Sequence, residues 1–387
     1  MRVSIIIPNY NGVNFLENCL NSLESSSFKN PLDSSLNSSS DDSLENSLDS
    51  SLDSSLDNSS DVSLGDFLEN KGFTHLEDST HLKDSIYLDI IIVDDGSEDG
   101  SIEFLKKRIE NNTISNINYY LISNKDNLGF SKSVNRGINL ANTHDSKYIC
   151  LLNNDVEVEA DFISNLLKPM EEDTNVFSVA SKILQYDKRN LIDDVGDEYT
   201  LLGWTKKSGE GQSSDKYSKQ REIFSSCAGA ALYRKSILNE IGYFDEKFFA
   251  YMEDVDIGYR ALINGYKNVY SPKAIVYHVG SGSSGSKYNE FKIPLAARNN
   301  IWIIYKNMPW PQILLNIGFL FTGFLIKYLF FLRKGHGNLY LEGLKEGLDN
   351  RKNIRKTKYK SSNLKNYFKI EWKLIVNTFK LLLNSYE

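Results

Sequence analysis

The feature that most limits what this chain can become is the stretch Tyr148 to Val158, YICLLNNDVEV. An apolar run that reads as a buried strand stops at Asn153-Asn154-Asp155, which delivers a carboxylate to a strand's C-terminal edge. Open α/β sheets keep their ligands there. Asp155 is therefore a candidate metal ligand. Taken alone, Asn-Asn-Asp is more simply a turn, since these residues favour turns wherever they occur. The case for chemistry rests on the company the stretch keeps.

Upstream, Val3 to Ile7 is a β-branched run stopped by Pro8, followed by the turn Asn9-Tyr10-Asn11-Gly12 and an amphipathic stretch from Phe15 to Leu23. This is strand, loop, helix, with the loop placed to hold a nucleotide. Between about Ser25 and Ser85 the character changes. A Ser-Leu-Asp unit recurs every four residues, and Lys29 to Asp84 holds thirteen acids against three bases. Such a composition cannot bury enough apolar surface to offset its ordering entropy, so residues 25–85 read as an acidic, low-complexity insertion that is disordered. Leucines 44, 48, 52 and 56 could line one stripe of a transient helix.

Ordered sequence resumes with the strand Tyr87 to Val93, which ends in Asp94 and Asp95; Ser97 or Asp99 then caps a helix from Ile102 to Ile109. Capping does not explain two acids at a strand's end. A carboxylate there can accept hydrogen bonds from a nucleobase or a ribose hydroxyl. A third strand, Asn118 to Ser123, leads into Asn127-Leu128-Gly129-Phe130 and a helix through Ala141 that carries Asn135 and Arg136. Gly129 permits close backbone approach, and a helix N-terminus suits phosphate or ribose oxygens; a plain glycine turn fits equally well. A helix from Phe162 to Met170 and a strand from Val176 to Ile183 complete four strand-helix alternations. They predict an α/β fold with a mostly parallel sheet, helices on both faces and the polar loops along one edge.

In the second half, Gln185 to Ser225 is polar and glycine-rich with a single tryptophan, Trp204, and reads as irregular structure lining an acceptor cleft. The small residues around Gly229 allow a sugar ring or a backbone to come close. Glu253, Asp254 and Asp256 follow an aromatic cluster at a helix start. A carboxylate among other carboxylates and aromatics should have its pKa raised, as a general base requires. Asp256 and Arg260, spaced i, i+4, pair to fix that helix. His278 ends a strand before a glycine-rich loop, where metal binding and a structural role are equally open.

The three cysteines are few and widely spaced, which suits buried thiols in a reducing compartment. The N-terminus begins a strand at once, with nothing resembling a signal peptide, so a cytoplasmic catalytic part is expected. The net charge of -7 hides a basic end, since Lys327 to Glu387 carries fourteen bases against five acids.

With these pieces assembled, the chain resembles the inverting, nucleotide-sugar-dependent glycosyltransferases of family 2 and the GT-A fold, in particular rhamnosyltransferase-like and galactofuranosyltransferase-like members. The matching segments are SIIIPNYNG, IIIVDDGSEDGS, NLGFSKSVNRGI, YICLLNNDVEV, CAGAALYRKSIL, GYFDEKFFAYMEDVDIGYRA, YHVGSGSS and RNNIWIIYKNMP, in family order from Met1 to about Pro311. The resemblance implies that Pro8 and Asn11 lie in the donor-nucleotide loop and that Asp94, Asp95 or both contact the base or ribose. It extends the donor site to Asn127, Gly129, Asn135 and Gly229. Asn153-Asn154-Asp155 takes the place of the family's DxD motif, departing from it at Asn153. Asp155 and His278 become ligands of Mg2+ or Mn2+, Asp254 becomes the catalytic base, and Trp204, Glu253, Asp256 and Arg260 support the site or the acceptor. The implied reaction is a single in-line displacement from a nucleotide-diphosphate sugar to a saccharide or lipid-linked acceptor in cell-surface glycan assembly. No nucleic-acid partner is expected.

Residues 1–311 thus read as the transferase domain and 312–387 as an apolar helix with a basic helical tail. Ile313 to Leu332 reaches the length of a membrane span, but its flanking cations and aromatics also suit a helix lying on the inner face of the cell membrane, which is the expected arrangement. A dehydrogenase or nucleotidyltransferase would need a glycine-rich first loop that is absent. A non-catalytic nucleotide-sugar-binding or scaffolding protein is the remaining alternative.

Overall fold

The computed structural model describes residues 1–26, 86–280 and 288–383. The acidic repeat and most of the glycine-rich loop after His278 lie outside the described residues. The chain begins β1 (Arg2–Asn9), α1 (Val13–Glu24), β2 (Tyr87–Asp94), α2 (Ser101–Glu110), β3 (Ile117–Ser123), α3 (Phe130–Asn142), β4 (Tyr148–Leu152), β5 (Val156–Val158), α4 (Phe162–Glu172) and β6 (Val176–Gln185). Four short strands follow: β7 (Ile192–Asp194), β8 (Asp197–Tyr199), β9 (Thr205–Lys207) and β10 (Arg221–Ile223). Then come β11 (Ala230–Arg234), α5 (Lys235–Ile241), α6 (Glu253–Ile263), β12 (Lys267–His278), α7 (Lys292–Asn307), α8 (Trp310–Arg333), α9 (Gly337–Asn350) and α10 (Leu364–Leu383).

The main sheet runs β10-β12-β6-β11-β4-β1-β2-β3. Pairings among β4, β1, β2 and β3 are parallel, as is β6 with β12, whereas β11 is antiparallel to both its neighbours. The run of small residues after Cys227 is therefore a central strand that the sequence reading did not identify. Ala230 and Ala231 carry too little side chain to mark a face, and the strand is held by its neighbours on both sides. The polar segment 185–225 is likewise less irregular than expected, since it supplies β7 to β10.

Strand period divides the core. Val3, Ile5 and Ile7 face α1 and α4 through Leu16, Leu20, Phe162 and Leu166. Ile6, Ile91 and Leu151 face α3, α5 and α6 through Val134, Ile138, Leu238 and Ile257. With both faces covered, the strands need no polar alternation, which is why they read as continuous β-branched runs. A third cluster joins Tyr199, Phe224, Tyr259 and Ile303 to Leu320, Tyr367, Ile370 and Leu374, so it crosses the boundary placed at 311/312.

Candidate active site

The two halves of the first loop region are tied by register. Parallel pairing sets Asn9 opposite Asp94, and Asn9 Nδ2 donates to Asp94 Oδ2 at 2.8 Å. Asn154 Nδ2 donates in turn to Asn9 Oδ1 at 2.6 Å. Asn154, Asn9 and Asp94 thus form one buried polar strut across three strands, and Asp94 also accepts the backbone N–H of Ser97 at 2.9 Å. Asp95 is 5% exposed, and its Oδ1 accepts from Asn124 Nδ2 and Ser133 Oγ. Pro8 is half-buried at the edge of β1. Asn11, with φ of 49°, donates its backbone N–H to Ser97 Oγ and accepts from the Glu98 N–H. Asp99, one of the two candidates to cap the following helix, serves two helices: its Oδ1 accepts from the N–H and Oγ of Ser101 at the start of α2, and its Oδ2 accepts the Val13 N–H at the start of α1.

Several of the donor-site candidates have partners inside the protein. Asn135 is buried, and its amide exchanges hydrogen bonds with the backbone of Phe244 at 2.8 and 3.1 Å, holding the segment before α6. The close approach read at Gly129 is made by the protein itself: φ is 82°, and a Cβ there would sit 2.5 Å from the Phe249 ring. Asn127 Oδ1 accepts the Gly129 N–H, closing the turn. Gly229 lies against Asn153, whose backbone N–H donates to the Gly229 carbonyl at 2.8 Å.

The acidic end of the site is assembled by strand pairing. Antiparallel β5 and β12 set His278 opposite Val156, the residue after Asp155, and the Val279 N–H donates to the Asp155 carbonyl at 3.0 Å. His278 Nε2 lies 3.5 Å from Asp155 Oδ1, while Nδ1 is 2.7 Å from Asp193 Oδ2. Asp193 belongs to β7, which pairs with β6 next to β12. The contact of Nδ1 with Asp193 fixes the ring and turns Nε2 toward Asp155, the orientation that carboxylates impose on metal-binding histidines. Burial alone would lower the His278 pKa, but the Asp155 and Asp193 carboxylates outweigh it and push it up to about 9. This spot favours positive charge. Asp155 Oδ1 is buried without a hydrogen-bond partner. An unsatisfied buried carboxylate oxygen beside an oriented imidazole fits a divalent cation. Among the described residues no group of three or more His, Cys, Asp or Glu side chains converges on a point.

Asp254 stands in the first turn of α6, with Oδ1 accepting the Val255 N–H at 2.8 Å. Burial raises its pKa above the usual carboxylate range, against the lowering effect of backbone N–H groups and Lys207. Asp194, the neighbour of Asp193, is buried and within electrostatic reach of Asp254. Lys207 Nζ lies 3.1 Å from Asp193 Oδ1 and supplies the counter-charge, its own pKa raised, against burial, by Asp194 and Asp193. Glu253 is buried with Oε2 unpartnered, its pKa raised by burial and by Asp254. Asp256 is fully buried and structural, accepting from Arg260 Nε, Lys306 Nζ and Asn307 Nδ2 at 3.0, 2.9 and 2.8 Å.

The segment feeding α6 is strained. Phe249, Tyr251 and Met252 all have φ between 62° and 71°, each at a cost of about 1–3 kcal/mol. Asn299 of α7 restrains it by donating to the carbonyls of Phe248, Ala250 and Tyr251 at 2.9, 2.9 and 2.7 Å. Trp204 is tied to the C-terminal extension. Its Nε1 donates to the Gly323 carbonyl of α8 at 3.0 Å, so its observed partner is the C-terminal helix rather than an acceptor groove. Asp193, Lys207 and Asn299 were missed in the sequence. The acid doublet in LIDDVG was the one visible signal for the first of them.

The sheet order and the ligand edge define the GT-A fold of nucleotide-diphospho-sugar transferases. A crystal structure of GalNAc-T7 with UDP, GalNAc and Mn2+ superposes with a TM-score of 0.52 at 12% identity, covering 79% of this chain and 47% of that one. The family described as Glycosyl transferase family 2 matches residues 78–242, and the chain carries a domain of that family. It is similar to the N-acetylglucosaminyl-diphospho-decaprenol L-rhamnosyltransferase of Mycobacterium tuberculosis (strain ATCC 25618 / H37Rv), 46% identical over 54 residues, or 14% of this chain and 18% of that protein. It is also similar to the poly-beta-1,6-N-acetyl-D-glucosamine synthase of Staphylococcus aureus (strain COL), 25% identical over 199 residues, or 49% of this chain and 42% of that one. The chain thus matches less than half the length of either relative.

Proposed function

We propose that the chain is an inverting glycosyltransferase that moves a hexosyl or deoxyhexosyl group from a nucleoside-diphosphate sugar to a saccharide or lipid-linked saccharide in cell-surface glycan assembly. The observation that carries the reading is the placing of His278 Nε2 3.5 Å from the buried Asp155 Oδ1, with the ring held by Asp193 and the buried Asp254 within electrostatic reach of the adjoining Asp194. Asp155 and His278 would hold Mg2+ or Mn2+, which supplies charge neutralisation for a diphosphate leaving group. Asp193 keeps the His278 ring turned. The Asn9-Asp94-Asn154 strut holds the donor loop and the Asn-Asn-Asp turn at one fixed spacing, a pre-organisation suited to a nucleotide lying across both. Asp254 takes the proton of an acceptor hydroxyl as that oxygen bonds to the anomeric carbon and the bond to the diphosphate oxygen breaks. Raised above the usual range, it binds a proton more readily than an ordinary aspartate, as a general base must. One displacement needs no covalent nucleophile. Asn153 in place of an aspartate leaves one charge fewer at the cation.

The extension from 312 is read as the attachment to the inner face of the cell membrane. α8 is long and apolar enough to cross a membrane, yet it turns Gln312, Asn316, Leu320 and Gly323 inward and Leu315, Ile317 and Phe321 outward. A helix with its polar side chains against the protein and its apolar ones exposed suits an interfacial position. The reaction is tested by incubating purified protein with UDP-, dTDP- and GDP-sugars with and without Mn2+. Metal-dependent release of nucleotide from one donor, lost in Asp254→Asn, supports the transferase; donor binding without turnover in the presence of lipid-linked acceptors favours the non-catalytic alternative.

A further inference from the structure

Between the start of α8, the linker 351–360 and the start of α10 lies a cavity of about 780 Å³. It is separate from the cleft of Asp155 and Asp254 and is not used by the proposed reaction. Its walls are mostly apolar, with Trp310, Leu315, Tyr359 and Phe368 all more than half exposed at 70%, 68%, 55% and 69%. Gln312 Nε2 and Asn316 Nδ2 both donate to Glu371 Oε2, at 2.7 and 3.0 Å, which closes a polar seam between α8 and α10 and leaves the apolar walls open. The volume falls within the range of about 300–1,000 Å³ common for small-molecule sites.

Charge identifies the occupant. Residues 351–370 contain eight cations and no acid, and the carboxylate in the cavity wall, Glu371, is held by Gln312 and Asn316. Two of them, Lys356 and Lys358, line the cavity itself, and both are exposed. Beyond the cavity, α8 also exposes Leu314, Ile317 and Phe321. An apolar slot with a cationic rim, on the same helix as a surface suited to a bilayer, matches a molecule with a phosphate at one end and a hydrocarbon chain at the other. We infer that this cavity binds one anionic glycerophospholipid of the membrane, with an acyl chain against Trp310, Leu315 and Phe368 and its phosphate on Lys356 and Lys358. The inference rests on the membrane reading of α8 and deepens it, because a bound lipid seats the catalytic body at a fixed height and tilt on the bilayer.

The test uses the full chain and separates the two readings. Flotation with vesicles of phosphatidylcholine, alone or with about one third phosphatidylglycerol, reports membrane attachment, and calorimetric titration with dihexanoyl phosphatidylglycerol below its micellar concentration reports the cavity. The expected result is binding to the anionic vesicles together with saturable, one-to-one binding of the monomeric lipid. Lys356→Glu/Lys358→Glu should weaken the monomer affinity about tenfold or more, as should Leu315→Asp, and dihexanoyl phosphatidylcholine should bind at least as weakly as these variants do. All three substituted side chains are exposed, so melting curves should match the wild type. Vesicle binding without saturable monomer binding would overturn the lipid site and leave the membrane face standing. No vesicle binding would overturn both.

Discussion

At the residue scale, two carboxylates and one imidazole are set apart by their surroundings. Asp254 is raised by burial and Asp193, despite burial, is lowered by His278 and Lys207, so neighbouring acids are prepared for opposite tasks. Asp254→Asn should cut kcat by about 10²- to 10⁴-fold while donor affinity, followed by calorimetry, stays within a few-fold. Because the working form of Asp254 is the carboxylate, kcat/KM should fall as pH is lowered through a pKa above that of an ordinary aspartate, and that limb should vanish in the variant. Asp193→Ala removes the acceptor for Nδ1–H and frees the His278 ring to turn. Mn2+ affinity in the presence of UDP, read by electron paramagnetic resonance, should drop about 10- to 100-fold, with partial recovery in Asp193→Asn, whose amide oxygen still accepts.

At the scale of elements, the sequence shows most where a strand is long and both its faces are covered. β1, β2, β4 and β6 were legible as apolar runs, and Asp94, Asp95 and Asp155 were legible as acids at the sheet's C-terminal edge. β11 was not legible, because its small residues carry no face and its place is decided by β4 and β6. The same limit hid Asp193, which a three-residue strand brings to His278 across 85 residues of chain. Gly129 and Asn135 were legible as special positions, but the partner was not: a glycine needed for close approach does not say whether a ligand or Phe249 will come close. Glycine also decides how α8 docks. A Cβ at Gly323 would lie 2.1 Å from the Leu202 carbonyl oxygen, which as backbone cannot swing aside. Gly323→Ala should therefore cost about 1–3 kcal/mol in denaturant unfolding, with the Trp204 hydrogen bond to the same residue disturbed.

At the scale of the whole molecule, the C-terminal helices and the transferase body share one core, since Leu374 of α10 is fully buried in the cluster that contains Tyr259 of α6. Leu374→Ala should destabilise the protein by about 2–5 kcal/mol and lower a single unfolding transition seen alike by tryptophan fluorescence and far-ultraviolet circular dichroism. The shared core holds the C-terminal edge of the sheet and the exposed apolar face of α8 in one packed unit, which under the proposed function would present a membrane-bound acceptor and a soluble donor together. The central claim is that this body transfers sugar with Asp254 as base beside a cation held by Asp155 and His278. The most direct test is turnover of the nucleotide-sugar panel in the presence of Mn2+ by the wild type, Asp254→Asn and Asp155→Ala. The account predicts turnover of at least one donor that is abolished by chelation and falls about 100-fold or more in both variants. Turnover that persists undiminished in Asp254→Asn would contradict it.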